Sequence, residues 1–121
     1  MTLHIKHRNK YGNIKVNFRG MKFDSKKEAR RYQELLGREL AGEITTLSQQ
    51  PKYVLQEGFR YGDGKWIFPI TCTWDFRYVE KGNLVVEDVK STATAKGEAY
   101  RLRIKLFRDN YPEVDFREVK G

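Results

Sequence analysis

Ile70, Cys72, Trp74, Phe76 and Tyr78 place five apolar side chains at every second position, and a second apolar run begins at Leu84-Val85-Val86. A period of two held over that length marks a strand, because a helix would scatter those side chains around its axis. Between the two runs, Glu80-Lys81-Gly82-Asn83 has the composition of a tight turn. Residues 71–79 and 84–90 are therefore predicted to pair as an antiparallel hairpin. The second strand carries little polarity before Glu87, as suits a central strand buried on both faces.

The flanking segments read as helices and shorter strands. Phe23-Asp24-Ser25 precedes a helical run to about Ala41, stopped near Gly42, and Ser25 with Glu28 three residues on has capping-box spacing. Ala29, Tyr32, Leu35, Leu36 and Leu40 form its apolar stripe, and Lys26, Lys27, Arg30, Arg31 and Arg38 are assigned to its outer surface. Residues 42–51 read as a connector ending in Gln49-Gln50-Pro51. Residues 52–56 then alternate as a strand with Tyr53 and Leu55 on one side. Phe59–Tyr61 and Lys65–Phe68 flank the hairpin-type turn Gly62-Asp63-Gly64. Phe59, Tyr61 and Trp66 are assigned to the core of that hairpin, with stacking on unpaired bases as the competing role. Residues 91–96 form a small-residue loop. A second helix is expected over 97–110 with Leu102, Leu106 and Phe107 inward, ended by Tyr111-Pro112. Val114, Phe116 and Val119 suggest a last strand parallel to a central one. The fold class is α/β (α+β), a mixed central sheet flanked by helices.

At 121 residues the chain is expected to form a single domain. Its net charge of +8 is unevenly placed: residues 1–31 hold ten Lys or Arg against Asp24 and Glu28, while the remainder balances. Such an excess suits a polyanion, with nucleic acid ahead of an anionic membrane because residues 1–19 lack an amphipathic helix. Residues 1–19 read as a basic arm, with a short strand through Ile14–Phe18 as an option, and 20–121 as the core. Lys6, Arg8, Lys10, Lys15 and Arg19 of the arm, with Lys26, Lys27 and Arg30 of the helix, are the candidate DNA contacts. No apolar run is long enough for a membrane span, Met1-Thr2-Leu3-His4 is not expected to be a signal peptide, and a lone Cys72 suits a reducing cytoplasm.

Chemistry concentrates on the long hairpin. Alternation puts Asp88 and Lys90 on one face, with Val89 turned away, and pairing can bring Asp75 to the same place. Two carboxylates and an amine are a minimal set for hydrolysing a phosphodiester with a hard cation such as Mg²⁺, which prefers carboxylate and water oxygens. Asp75 and Asp88 would hold the cation, and Lys90 would orient the attacking water and stabilise charge on the phosphate. Plainer readings stand beside these. Asp75 and Lys90 can form a cross-strand ion pair, Asp88 can bond the loop that follows it, and Glu28 can be a helix cap alone. Glu87 adjoins Asp88, but alternation sends it to the opposite face and out of the site.

Asp75, the Asp88-Val89-Lys90 triplet, an upstream helical Glu28 and the order of elements together resemble the PD-(D/E)XK nuclease superfamily. The likeness is greatest to small phage proteins compared with Holliday junction resolvases. Residues 23–29, Gln50-Pro51-Lys52-Tyr53, Trp74-Asp75-Phe76 and Val86–Lys90 carry it, and the segment around Lys105 is similar to the family's second helix. The family's proline before the first aspartate is Trp74 here, a common replacement. The resemblance implies a restriction-endonuclease-like αβββαβ core, Mg²⁺ with Mn²⁺ as substitute, the Val89 carbonyl as a further ligand and Glu28 completing the metal site. It also implies four-way DNA junctions as substrate and, from their two-fold symmetry, a homodimer. Lys105 would reach phosphate, with a solvated basic face as the default reading of that helix. A less selective DNA nuclease and a non-catalytic DNA-binding module are the alternatives.

Overall fold

The structure is a computed structural model, and it describes residues 4–8, 14–90 and 97–120, the first stretch and residues 14–15 as backbone only. Strands β1 (His4–Arg8), β2 (Ile14–Phe18) and β3 (Met21–Phe23) form an antiparallel sheet. Within the expected arm β1 is a strand and so is β2, at the Ile14–Phe18 that the sequence offered as an option: Val16 and Phe18 alternate inward and are buried with Phe23. Helix α1 (Lys26–Leu40) follows, with the Ser25 hydroxyl accepting the Glu28 N–H at 3.2 Å. It ends at Ala41 and Gly42, the latter at φ +79°, where glycine carries no Cβ penalty.

The expected connector contains a strand instead, β4 (Thr45–Gln49), followed by β5 (Lys52–Gln56). Thr and Ser within β4 masked it, since the segment has no run of apolar alternation. A short hairpin of β6 (Phe59–Arg60) and β7 (Trp66–Ile67) separates β5 from β8 (Ile70–Thr73). It is expected from its sequence to bury its aromatic residues, and it does not: Phe59, Tyr61 and Trp66 are exposed, because β6 and β7 form a two-stranded sheet of their own. Then come β9 (Phe76–Glu80), β10 (Asn83–Lys90), α2 (Glu98–Asn110) and β11 (Asp115–Lys120). The turn between β9 and β10 is Lys81-Gly82, both at positive φ, which matches the twist of a two-residue hairpin.

The main sheet has the order β11-β10-β9-β4 and is mixed: β11 runs parallel to β10 and the other pairs are antiparallel. A parallel neighbour needs a crossover, which α2 supplies. Strand β10 is buried on both sides, as its apolar run predicts. Val85 joins Ala29 and Leu35 of α1 with Phe76 and Tyr78; Val86 joins Tyr100, Ile104 and Phe107 of α2 with Trp74 and Phe116. A fully buried valine such as Val85 or Val86 contributes about 2 kcal/mol. Among the described residues no helix is long and apolar enough to cross a membrane.

Two helix faces differ from expectation. Leu40 and Leu102 are exposed, while Tyr100 and Ile104 turn inward beside Phe107. Arg31 is not an outer-surface residue: its guanidinium reaches Glu87 through Nε at 2.8 Å and Nη2 at 2.7 Å. Arg38 pairs with Glu43 and Glu80.

The largest correction concerns the long strand through Asp75. It is broken at Trp74-Asp75, and the neighbouring chain is broken opposite, at Gln50-Pro51. On one side of the break β4 pairs with β9 through Gln49 and Phe76; on the other β5 pairs with β8 through Lys52 and Thr73. The break reverses the alternation. Cys72 and Trp74 face α2, whereas Phe76 and Tyr78 face α1. Buried Pro51 has no N–H to give, and Gln50 sits at φ +55°, a conformation that costs a non-glycine residue about 1 kcal/mol.

Candidate active site

The break exposes an end of the sheet at which Asp75, Asp88 and Glu28 face one cavity of about 230 Å³. Its walls include Asp24, Ser25, Cys72, Trp74, Val89, Tyr100 and Arg103. Asp75 is pinned by its backbone, its N–H donating to Glu87 O at 3.0 Å and its carbonyl accepting from Gln50 N–H at 2.9 Å. Its side-chain Oδ2 accepts the Val89 N–H at 2.7 Å. The two aspartates are close enough to share a hydrogen bond.

Glu28 comes from the first turn of α1 and is buried. Ser25 caps its N–H, and its carboxylate reaches back to the N–H of Asp24, one residue before the N-cap, rather than to that of Ser25. The carboxylate accepts from Gln50 Nε2 at 3.2 Å and from the Asp24 backbone N–H. The Glu28 carboxylate therefore serves the start of α1 and the pocket together, while its backbone N–H takes the Ser25 cap.

Gathering acids in a partly closed space is costly, and their proton affinities show it. Burial, then the charges of Glu28 and Asp88, push Asp75 up to about 9. Burial, then Asp24, push Glu28 up to about 7. Asp88 is also raised, chiefly by burial, against the opposing pull of hydrogen bonds from Asp75 and Tyr100. Such strongly raised carboxyls beside one another are a feature of functional pockets.

Lys90 is placed differently from the expected arrangement. Its ammonium pairs with Glu118 of β11 at 3.2 Å, and it does not pair with Asp75. Glu118 in turn accepts from the Tyr100 hydroxyl at 3.4 Å, and Tyr100 also bonds Asp88. Asp88, Tyr100, Glu118 and Lys90 thus form a polar chain across β10, α2 and β11. Sequence reading passed over Tyr100 and Glu118 and left Arg103 with the solvated basic face of α2; Arg103 is exposed and also lines the cavity. Taking Leu102 as an inward residue rotated α2 and hid the face that Tyr100 and Arg103 share at a spacing of three. Parallel register sets Glu118 beside Asp88, and that register is not visible in the chain.

Glu87 lies on the opposite face, as alternation predicts. It is wholly buried, held bidentately by Arg31 and bonded by the Tyr78 hydroxyl. Cys72 is a buried thiol pushed up to about 11 by burial, as expected of a small core residue.

The candidate DNA contacts divide. Lys26, Arg30 and Lys105 are exposed, Lys27 half-buried, and Arg19 is exposed with its guanidinium over Phe18. Lys6 and Arg8 lie on β1 and Lys15 on β2, their side chains outside the described atoms. Lys10 and the loop 91–96 lie outside the described residues.

Among the described residues, no group of three or more His, Cys, Asp or Glu side chains is arranged to hold a metal ion as it stands. The donor chemistry nevertheless fits a hard divalent cation: three carboxylates of raised proton affinity face one cavity. The fold is compatible with a nuclease-like scaffold. Comparison with curated proteins yields no match, and comparison with solved structures yields none. A family model matches residues 8–120, and the chain belongs to that family, described as "Protein of unknown function (DUF1064)".

Proposed function

We propose that this protein is a divalent-cation-dependent DNA endonuclease that hydrolyses phosphodiester bonds, acting on four-way junctions. The observation that carries the reading is the meeting of Glu28 from α1, Asp88 from β10 and Asp75 from the break between β8 and β9 in one pocket at the sheet's broken end. A structural cluster of acids would be expected to recruit cations from its own chain, as Glu87 does on the other face. These three take Arg103 at the cavity wall and no ion pair with a lysine or arginine among the described residues.

Asp75 and Asp88 would hold Mg²⁺ or Mn²⁺, with the Val89 carbonyl and Glu28 completing the set. When bound, the cation supplies Lewis-acid polarisation of the phosphate and a more acidic water. The chain's own residues do the rest. Asp75 is oriented by the Val89 N–H, Glu28 by Gln50, and Asp88 by Tyr100. Arg103 offers a guanidinium to a phosphate oxygen at the pocket wall. Lys90, poised on Glu118 at the far end of the polar chain, can exchange that partner for the incoming phosphate. Positive charge on the exposed faces of α1 and α2 would hold the backbone of the DNA.

The test is a labelled four-way junction, its matching duplex and its single strands, each incubated with Mg²⁺, Mn²⁺ or EDTA. Paired, symmetric, metal-dependent nicks confined to the junction are expected. Equal cutting of all three substrates would make the protein a general nuclease, and binding without cutting would leave a DNA-binding module.

A further inference from the structure

Four residues other than glycine have positive φ among those described: Arg19, Thr46, Gln50 and Lys81. Three of them have a local cause. Arg19-Gly20 and Lys81-Gly82 are two-residue hairpin turns, where the twist of the flanking strands calls for that conformation. Thr46 lies where the register of β4 against β9 shifts, as at a β-bulge. Gln50 is in neither a hairpin turn nor a strand. It stands at the corner between β4 and β5, at φ +55°, where glycine would carry no penalty. The residue is exposed, so packing does not call for its long side chain.

That side chain reaches the pocket. Its Nε2 donates to Glu28 Oε1 at 3.2 Å, across 22 positions of chain, while its backbone N–H donates to the Asp75 carbonyl at 2.9 Å. The next pair across the break is bonded as well, Trp74 N–H to the Pro51 carbonyl at 3.0 Å. One residue therefore links two acids of the pocket, Asp75 through its backbone and Glu28 through its amide. The amide is also neutral. An ionised carboxylate offers about four acceptor positions; Gln50 takes one and the Asp24 N–H another, and neither cancels the charge. On the opposite face, Arg31 grips both oxygens of Glu87 and neutralises it.

We propose that Gln50 is a positioning residue for cation binding: its strained backbone puts a neutral amide where it holds Glu28 toward the pocket with its charge intact. This role rests on the pocket being a cation site. It adds that stability given up at the β4–β5 corner serves affinity at Glu28.

Mn²⁺ binding to the full chain without DNA, by isothermal titration calorimetry, tests the role with Gln50→Gly and Gln50→Ala, alongside thermal melting in EDTA. Both variants lack the amide, and each should bind Mn²⁺ about tenfold more weakly than the wild type, as loss of a hydrogen bond to a ligating carboxylate does. Only glycine also relieves the backbone, so Gln50→Gly should melt above Gln50→Ala. Added to Glu28→Gln, Gln50→Gly should weaken binding no further, because the amide acts through that carboxylate. Wild-type affinity in both single variants would overturn the role of Gln50 and leave the cation site standing. So would additive losses in the double variant, or a Gln50→Gly that melts no higher than Gln50→Ala. A wild type that takes up no Mn²⁺ would overturn the cation site itself, and this role with it.

Discussion

Glu87 and Asp88 are neighbours in the chain and opposites in the fold. Glu87 points toward α1, fully buried, with the Arg31 guanidinium and the Tyr78 hydroxyl meeting its oxygens. Asp88 points toward α2 and joins Asp75 and Glu28, where acids meet acids. Glu87 is wholly buried and Asp88 half-buried; a guanidinium is bonded to Glu87, whereas Arg103 acts on Asp88 only from the cavity wall. The ion-paired acid holds α1 to the sheet, and the cluster on the other side, hydrogen-bonded but without an ion pair among the described residues, would have capacity for a cation. An interior carboxylate reports function through what it lacks more than through how deeply it lies.

Amide substitution should separate the two faces most sharply. Asp75→Asn and Asp88→Asn, assayed for nicking of a four-way junction, should each lose at least about a thousandfold in rate. Their melting temperatures should hold or rise, because the exchange removes repulsion among buried acids. Loss of folding in both would make the cluster structural. At Glu87 the opposite result is expected. Glu87→Gln takes from Arg31 its buried partner and leaves it the exposed Glu34 at 2.9 Å, and should lower unfolding free energy by about 3 kcal/mol, measured by urea denaturation, while folded protein still cleaves.

Proton linkage gives the next largest effect. Asp75 and Glu28 hold their protons in the folded state up to about 9 and about 7, against ordinary values of 3.8 and 4.5. The folded protein therefore binds more protons between those limits, so stability falls as pH rises. Their contribution is fully present below the ordinary values and is lost as pH passes 7 and then 9. Without added metal, the protein should melt at higher temperature at pH 5 than at pH 9. Mg²⁺ or Mn²⁺ should flatten that dependence, because a cation competes with the protons. A metal-free melting temperature that rises across the same range would contradict the acidic cluster.

Tyr100→Phe removes the hydroxyl linking Asp88 to Glu118. A roughly tenfold loss of nicking is expected, with stability changed by no more than about 1.5 kcal/mol. The smallest effect belongs to Lys105→Ala. Lys105 is exposed, so stability should move within ±0.5 kcal/mol. If the residue meets phosphate, the slope of binding against salt should fall by about one; an unchanged slope would make it a solvated charge.

Local pattern made much of this molecule legible. Ser25 and Gly42 bracket α1, Lys81-Gly82 turns the main hairpin, and alternation correctly separates Glu87 from Asp88. These are short-range effects, settled by backbone conformation within a few residues. Pattern misled where a side chain's fate depends on distant partners. Leu102 looked inward and Tyr100 did not, because helical periodicity alone does not say which face meets the sheet. Arg31 looked solvated, because its partner is 56 positions away.

From the chain alone one could derive the element order, a mixed sheet with helices, and three acids worth watching. Tertiary structure alone decided that Gln50-Pro51 and Trp74-Asp75 break together, reversing the strand's faces and opening the pocket. It also decided that Lys90 rests on Glu118. Strand propensity is written residue by residue, whereas a bend shared by two strands and a register between parallel ones arise only once distant segments pack, which is why no window of sequence contains them.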